Sequence, residues 1–399
     1  MMTKTVLISG AGVAGITLAH WLDRHGFAPT VVERAPAPRC GGQAVDIRGV
    51  ALDVAERTGV LDDARAAATD ITGMSYVDAA GDRVAWMDGG FGVLNERDVE
   101  ILRGDLLALL YARTEVEYLF DDTITALDQT DDGVEVTFAR AAPRVFDLVI
   151  GADGLHSSVR AMAFENVEEH DLGVVISTFT VPDRWHLDRE QRVLVEPGRV
   201  ATVSATRVPG EARATLLFPA PGLEFDHRDV AAQQEILAEK FAGATWDVPF
   251  LLDQARRADD FYFDSCTQIR LDRWSAGRVA LVGDAAHAGS PLSGQGTSLA
   301  LVGAYVLAGE LAATDDHEAA FARYEERLRE FVKVNVDFGK GMAKRIAPNS
   351  PRQVRTYLWS LRMLRFAPGK SLLMKLIARA VTKAANALDL PEYPVLSRR

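Results

Sequence analysis

Thr5, Val6, Leu7, Ile8 and Ser9 form a short β-branched and apolar run with no polar face, the mark of a strand buried on both sides. Glycines interrupt it at once. Ile16, Leu18, Ala19 and Leu22 then recur as one helix face ending near Gly26, and residues 30–33 return to a strand pattern. The chain therefore opens strand, glycine turn, helix, strand, which is a βαβ unit.

Residues 72–100 read as a small sheet, with Gly81 and Asp82 turning a hairpin between 74–77 and 83–87. A helix is predicted over 103–113, strands over 117–120 and 133–140, and a buried strand at Leu148, Val149 and Ile150. Between residues 170 and 270 the texture changes. Ala201, Val203 and Ala205 alternate with Thr202, Ser204 and Thr206, and Ala212, Ala214, Leu216 and Phe218 alternate likewise after a turn at Pro209 and Gly210. One apolar and one hydroxyl-bearing face predict an antiparallel sheet walling a second domain. A helix over 231–241 follows, then a buried strand at 278–282 and helices over 298–313 and 318–336. The expected organisation is discontinuous: 1–72, 98–170 and 271–340 in one domain, 73–97 and 171–270 in another, and 341–399 as a basic helical segment.

Composition sharpens this picture in three places. A chain of 399 residues that is 48% hydrophobic and 25% charged buries a large core without a disulfide or metal staple. The only cysteines, Cys40 and Cys266, lack CxxC or histidine-rich company; they are read as buried thiols of a cytoplasmic protein, and no metal site is expected. A net charge of −12 argues against nucleic acid as a partner. That charge is uneven, because residues 340–399 carry a local +11 and leave −23 on the rest. Within this tail Leu372, Leu373, Leu376, Ile377, Ala380, Val381 and Ala384 recur at helical spacing opposite Lys375, Arg379 and Lys383. Such a helix packs on its own acidic body or lies on an anionic membrane. No run of about 18 apolar residues predicts a transmembrane segment.

The chemistry concentrates in three glycine-rich motifs. Gly10, Gly12 and Gly15, with Ala11, Val13 and Ala14 between them, make a GxGxxG that follows a strand and opens a helix. The glycines permit a tight turn, backbone approach to a pyrophosphate and close helix–strand packing, and the helix amino terminus favours the phosphates. Glu33 ends the second strand where a carboxylate accepts ribose hydroxyls, and it would repel a 2′-phosphate. The tightly bound nucleotide is therefore FAD or NAD. A second motif, GADGLHSSVR at 151–160, follows the 148–150 strand; a third, GDAAH at 283–287, follows the 278–282 strand and runs into Ser290, Pro291, Leu292, Ser293, Gly294, Gln295, Gly296 and Thr297. Asp284 at a strand end can accept hydrogen bonds from a polyol, and the 294–297 turn aims backbone N–H groups, backed by a helix dipole, at a developing anion.

In this order and at these positions the three motifs resemble the flavoprotein aromatic hydroxylases, or class A flavin monooxygenases. That family includes p-hydroxybenzoate hydroxylase and the tetracycline-degrading monooxygenases, the latter closest in length. The resemblance runs over nearly the whole chain and implies an α/β fold: a Rossmann-like (GR2-type) FAD-binding domain, an inserted antiparallel-sheet substrate domain and a C-terminal helix. It assigns FAD contacts to Gly10, Gly12, Val13, Ala14, Gly15, Glu33, Arg34, Arg103, Asp153, Asp284, Pro291, Gly294, Gln295, Gly296 and Thr297. Arg39, Gly41, Gly42 and Asp46 are similar to a segment of the tetracycline-degrading type near FAD and nicotinamide. Arg160 shares the second motif. Two departures occur: Ser298 stands where relatives carry asparagine, and Gly303 and Ala304 where they carry aspartate before the helix alanine.

The implied reaction takes electrons from NAD(P)H as a transient co-substrate and one oxygen atom from O2, and hydroxylates a phenolic or polycyclic small molecule in secondary metabolism or antibiotic inactivation. The flavin carries the hard chemistry, so no catalytic residue is named. His287 is read as structural. Thr202, Ser204, Arg213 and Thr215, with Thr206, are the candidate substrate contacts; Trp86, Met87 and Phe91 are pocket wall or core, and Trp246 and Trp274 are packing residues. A monomer or weak oligomer is expected. The alternatives are Baeyer–Villiger oxidation or dehydrogenation on the same scaffold, or a non-catalytic flavoprotein held at a membrane by its tail. The GWxWxIP segment of flavin halogenases is absent.

Overall fold

The strand Thr5–Ser9 lies at the centre of a six-stranded sheet, and Val6, Leu7 and Ile8 are fully buried between the layers on its two faces. Across the sheet the order is Ser275–Ala276, Val279–Leu281, Leu148–Gly151, Thr5–Ser9, Ala28–Glu33 and Glu117–Phe120. All neighbours are parallel except the first pair. The computed structural model describes residues 3–38, 42–88, 97–343, 346–364 and 382–394. Strand order reverses beside Thr5–Ser9, which is where an open parallel sheet forms its ligand crevice, outside the carboxyl ends of its strands. Helix Val13–Arg24 packs on the long helix Gly296–Ala312. The latter is buried almost all round, and its run of Leu, Val and Ala without a polar stripe is that of a core helix.

A second sheet has seven strands in the order Tyr262–Arg270, Glu168–Pro182, Glu211–Pro219, Arg199–Ala205, Glu190–Glu196, Gly73–Val77 and Arg83–Asp88. Its two faces differ. One carries Phe179, Val203, Ala212, Ala214, Leu216 and Phe218 into an apolar cluster with Leu237, Phe241, Val248 and Leu251 of helices Val230–Lys240 and Val248–Ala255. Direct cross-strand pairing puts Thr202 beside Thr215 and Ser204 beside Arg213, so the hydroxyl-bearing positions share the other face.

The expected small sheet over 72–100 does not exist as a unit. Its hairpin forms, with Gly81 at φ 89°, but extends the seven-stranded sheet through parallel pairing of Gly73–Val77 with Glu190–Glu196, the one parallel pair there. Val99–Leu102 pairs instead with Ala44–Ile47. Within the seven-stranded sheet three strands escaped the hydrophobic pattern, Glu168–Pro182, Glu190–Glu196 and Tyr262–Arg270, as did Ala44–Ile47, Ile124–Gln129 and Arg144–Phe146 elsewhere. In the first, Gly173 at φ 69° and a bulge between Asp171 and Val175 break the alternation that would announce it.

The described end of the tail packs on the body. Ala384 and Ala385 are buried, Asn335 Nδ2 donates to the Ala384 carbonyl (3.1 Å), and Tyr393 Oη donates to Glu310 Oε1 (2.7 Å). Most of the amphipathic helix expected around 372–384 lies outside the described residues. No described helix is long and apolar enough to cross a membrane.

Candidate functional site

The three glycine motifs begin at the carboxyl ends of three adjacent strands, Thr5–Ser9, Leu148–Gly151 and Val279–Leu281. Backbone bonds lock them together: Ala152 N donates to Ser9 O, Val282 N to Gly151 O, and Gly10 N to Val32 O. The fit is close. A Cβ on Gly15 would stand 1.9 Å from the Gly10 carbonyl oxygen, and one on Gly10, at φ 103°, would stand 2.7 Å from Ala152 O. Within this first motif Gly12 is the exception, with nothing within 4 Å of its Cβ position. It caps helix Val13–Arg24 and leaves that amino terminus open to an anion. Glu33 is buried beside the turn; its two oxygens accept from Ala11 N and Ala35 N, each at 2.9 Å. Arg34 is exposed at the same edge.

Asp284 faces Gly296, whose Cβ position lies 3.9 Å from Asp284 Oδ1. It is open to solvent on one side, yet surrounding protein raises its carboxyl above the ordinary range, opposed by the charge of Arg103. Arg103 opens helix Arg103–Tyr111, and its Cβ would lie 3.3 Å from a Cβ on Gly42. Gly294, at φ 60°, stands over Asp46 and Arg48. Asp46 Oδ2 pairs with Arg48 Nη2 at 2.8 Å, and Ser298 Oγ accepts from Arg48 N at 3.2 Å. Burial pushes Asp46 up to about 7 against the pull of Arg48, with Glu100 and Asp98 adding to the push. Motif residues far apart in sequence therefore share one edge. Arg39 and Gly41 lie outside the described residues.

Other motif residues are turned inward. Asp153 Oδ1 accepts from Ser157 Oγ (2.5 Å), while its Oδ2 accepts from Ser158 N (2.8 Å) and Val159 N (3.2 Å), so its carboxylate caps helix Ser158–Ala163. Arg160 is buried and donates to the carbonyls of Ala285 and Leu155, stitching the second motif to the third. Gln295 is fully buried, and its side-chain amide has no partner among the described residues. What the 294–297 turn presents is backbone, with Gly294, Gly296 and Thr297 half-buried and Pro291 exposed.

Over residues 3–339 the chain matches the family described as FAD binding domain. It is 39% identical over 395 residues to a flavin-dependent monooxygenase from an unidentified prokaryote, covering 98% of this chain and 99% of that one. It is 50% identical over 340 residues to a Mycobacterium tuberculosis protein named only as uncharacterized, covering 83% and 91% of the two chains. The crystal structure of the tetracycline destructase Tet(55) superposes with a TM-score of 0.85 at 38% identity, covering 98% of this chain and 99% of that one. This chain belongs to the FAD-binding flavin monooxygenases.

The monooxygenase is thus an oxidoreductase with FAD as its cofactor, and its residues fit that group. The open cradle at Gly12, the carboxylate Glu33 at a strand end and the exposed Asp284 beside a helix amino terminus are the donors and acceptors a dinucleotide needs. His287 serves the core of the monooxygenase. It is 2% exposed and packs on Trp274 at 4.7 Å, and burial drives its imidazole down to about 4. Cys266 is likewise fully buried, with its thiol pushed up to about 12 by burial. Trp246 packs on Trp185, and Trp86 donates Nε1–H to Asp88 Oδ1; Phe91 and Cys40 lie outside the described residues.

Among the substrate candidates, Thr202, Ser204, Thr206 and Thr215 are half-buried. Arg213 differs. It is buried, and its guanidinium donates to Asp260 Oδ2 (2.6 Å) and Gly42 O (2.8 Å), tying the polar sheet face to the segment beside Arg103. The sequence reading missed Gln191, Thr178 and Tyr262 on this same face, because it missed their strands. Alternation in Thr178, Thr180 and Pro182 against Phe179 and Val181 was the available signal.

Proposed function

We propose that this monooxygenase hydroxylates a phenolic or polycyclic aromatic small molecule, using NAD(P)H and O2, in antibiotic inactivation or secondary metabolism. One observation carries the reading: Arg213 draws the hydroxyl-bearing sheet face against Gly42 and Arg103, so polar side chains and the cofactor edge border one space. The likeness to a tetracycline destructase over nearly the full chain supports a polycyclic substrate.

When bound, FAD supplies the electron transfer and oxygen activation. The chain supplies position and charge. Gly10, Gly12, Gly15 and the helix amino terminus at Val13 and Ala14 would hold the pyrophosphate, and Glu33 would hold the ribose, with Arg34 flanking. Asp284 would hold the polyol chain, and Arg103, whose charge acts on Asp284, would contact the cofactor beside it. Amides at 294–297, aided by the helix dipole of Gly296–Ala312, favour negative charge on the ring, and Pro291 shapes the loop. Asp46 and Gly42 would contribute cofactor contacts from the 42–46 segment, while Asp153 sets the second motif. Thr202, Ser204 and Thr215 orient substrate hydroxyls, and Arg213 positions that face. The proposed organisation keeps 1–72, 98–170 and 271–340 as the FAD-binding domain, with 73–97 and 171–270 binding substrate. We place the enzyme in the cytoplasm as a monomer or weak oligomer.

NAD(P)H oxidation by the FAD-loaded protein, screened across phenols, quinones and tetracyclines with products read by mass, tests this. The expected result is substrate-stimulated oxidation with a gain of one oxygen on a carbon of an aromatic ring. Oxidation that no aromatic compound stimulates, or a product that has lost two hydrogens without gaining oxygen, overturns it.

A further inference from the structure

Three side chains that the cofactor edge does not use converge beside the seven-stranded sheet. Asp264 is buried on strand Tyr262–Arg270; His156 lies in the turn after strand Leu148–Gly151; His227 lies between strand Glu211–Pro219 and helix Val230–Lys240. His156 Nε2 stands 3.1 Å from Asp264 Oδ2 and 3.3 Å from Oδ1, and His227 Nδ1 stands 3.5 Å from Asp264 Oδ1. The imidazole centroids are 4.0 Å apart, and one ligand atom from each residue lies within 4.8 Å of the others.

The two nitrogen–carboxylate spacings, 3.1 and 3.5 Å, are close to those between neighbouring ligands in a coordination shell. Tetrahedral zinc with bonds of roughly 2.0–2.2 Å holds its ligand atoms about 3.3–3.6 Å apart. Protonated, the two imidazoles repel each other across a 4.0 Å centroid gap; a divalent cation lets both turn a neutral ring nitrogen, together with the carboxylate, toward one centre. The carboxylate is already oriented, since Tyr262 Oη donates to Asp264 Oδ2 (3.1 Å) and Ser265 N donates to Oδ1 (2.8 Å), as outer partners orient metal ligands. Phe225 packs edge-on to His227 at 4.7 Å, and Asp226 and Glu169 add negative charge close by. Both imidazoles keep an exposed side, which leaves room for water as a fourth ligand.

We propose that His156, His227 and Asp264 form a binding site for a first-row divalent cation of the zinc class, tying the 152–157 turn to the edge of the seven-stranded sheet. Two imidazoles with one carboxylate favour zinc, nickel or copper over magnesium or calcium. The sequence reading expected no metal because Cys40 and Cys266 lack CxxC or histidine-rich company. His156 and Asp264 lie 108 positions apart in the chain, and only the fold brings them together.

The test uses the untagged, FAD-loaded full chain, stripped with a chelator and titrated with zinc chloride against a chromophoric competitor; retained metal is read by mass spectrometry after gel filtration. One zinc per chain is expected. His156→Gln and His227→Gln, whose side chains are exposed enough to leave folding intact, should each weaken zinc binding by more than about 100-fold, beyond the loss of an outer-shell partner. His317→Gln, far from the cluster in the chain, should leave it unchanged. A wild-type chain that retains no zinc, meaning a hydrogen-bonded His–Asp–His cluster only, overturns the proposal. So does zinc retained equally by wild type and both variants.

Discussion

The carboxyl edge of the parallel sheet and the polar face of the seven-stranded sheet meet at Arg213, yet they are specified in different ways. At the first, the parts that matter are backbone: turns that admit no methyl group, helix amino termini, and strand ends aligned by parallel pairing. At the second they are side chains matched across strands, Thr202 with Thr215 and Ser204 with Arg213, on a face that only long-range pairing creates. A substitution at the edge should therefore act on folding or cofactor retention. One on the polar face should act on substrate and little else.

The largest contrast lies within the glycine turn itself. Gly15→Ala places a methyl 1.9 Å from the Gly10 carbonyl and forces helix and strand apart. We expect a loss above about 3 kcal/mol, beyond ordinary overpacking, with a Tm lower by several degrees and no retained FAD. Gly12→Ala meets nothing within 4 Å. Its apoprotein should melt like wild type while FAD binding weakens at least about tenfold, because the methyl stands on the open surface that a pyrophosphate would approach. Thermal melts of both apoproteins with flavin absorbance titrations separate the two roles. Equal melting of the two variants would break the distinction between packing glycine and binding glycine.

This division explains what could be read from sequence. Gly10, Gly12, Gly15, Glu33 and Asp284 declare themselves through spacing after an apolar run, because strand, turn and helix are contiguous there. Strand Glu168–Pro182 pairs with Tyr262–Arg270 and Glu211–Pro219, partners dozens of residues away, and its own bulge hides its period. Arg213 could be chosen for its chemistry, but its bond to Gly42 could not, since the two lie 171 positions apart in the chain. The His156, His227 and Asp264 cluster is the extreme case, with no two members in one element.

Asp46 sits at the seam between the two regions and should respond to pH. Its carboxyl is held up to about 7 by burial, against Arg48 and with Glu100 and Asp98. A raised carboxyl keeps its proton in the folded chain after the unfolded chain has released it. Its contribution is complete below the ordinary carboxylate range and is lost as pH rises through about 7. Asp46→Asn cannot ionise, so its Tm should fall less than that of wild type between about pH 5 and about pH 8, with the gap widening toward alkaline pH by on the order of 1–3 kcal/mol. Melts across that range check it. A gap that stays constant with pH would remove Asp46 as the titrating group.

The smallest effect is expected on the polar face, and adjacent residues make it measurable. Thr202 and Val203 are neighbours on one strand with opposite orientations: the first half-buried on the face that carries Thr215 and Arg213, the second fully buried under the two covering helices. Val203→Thr buries a hydroxyl in an apolar cluster and should cost about 1–3 kcal/mol of stability while leaving KM for an accepted aromatic substrate near wild type. Thr202→Val keeps the shape and deletes a hydroxyl. Its stability should stay within about 0.5 kcal/mol of wild type. Its KM should rise by roughly 2- to 12-fold, the loss of one neutral hydrogen bond, with kcat little changed because the reacting atoms belong to cofactor and substrate. Should Thr202→Val melt early with unaltered KM, the two faces would have exchanged roles, and the hydroxyl row would be a structural ladder holding the sheet and not a substrate surface.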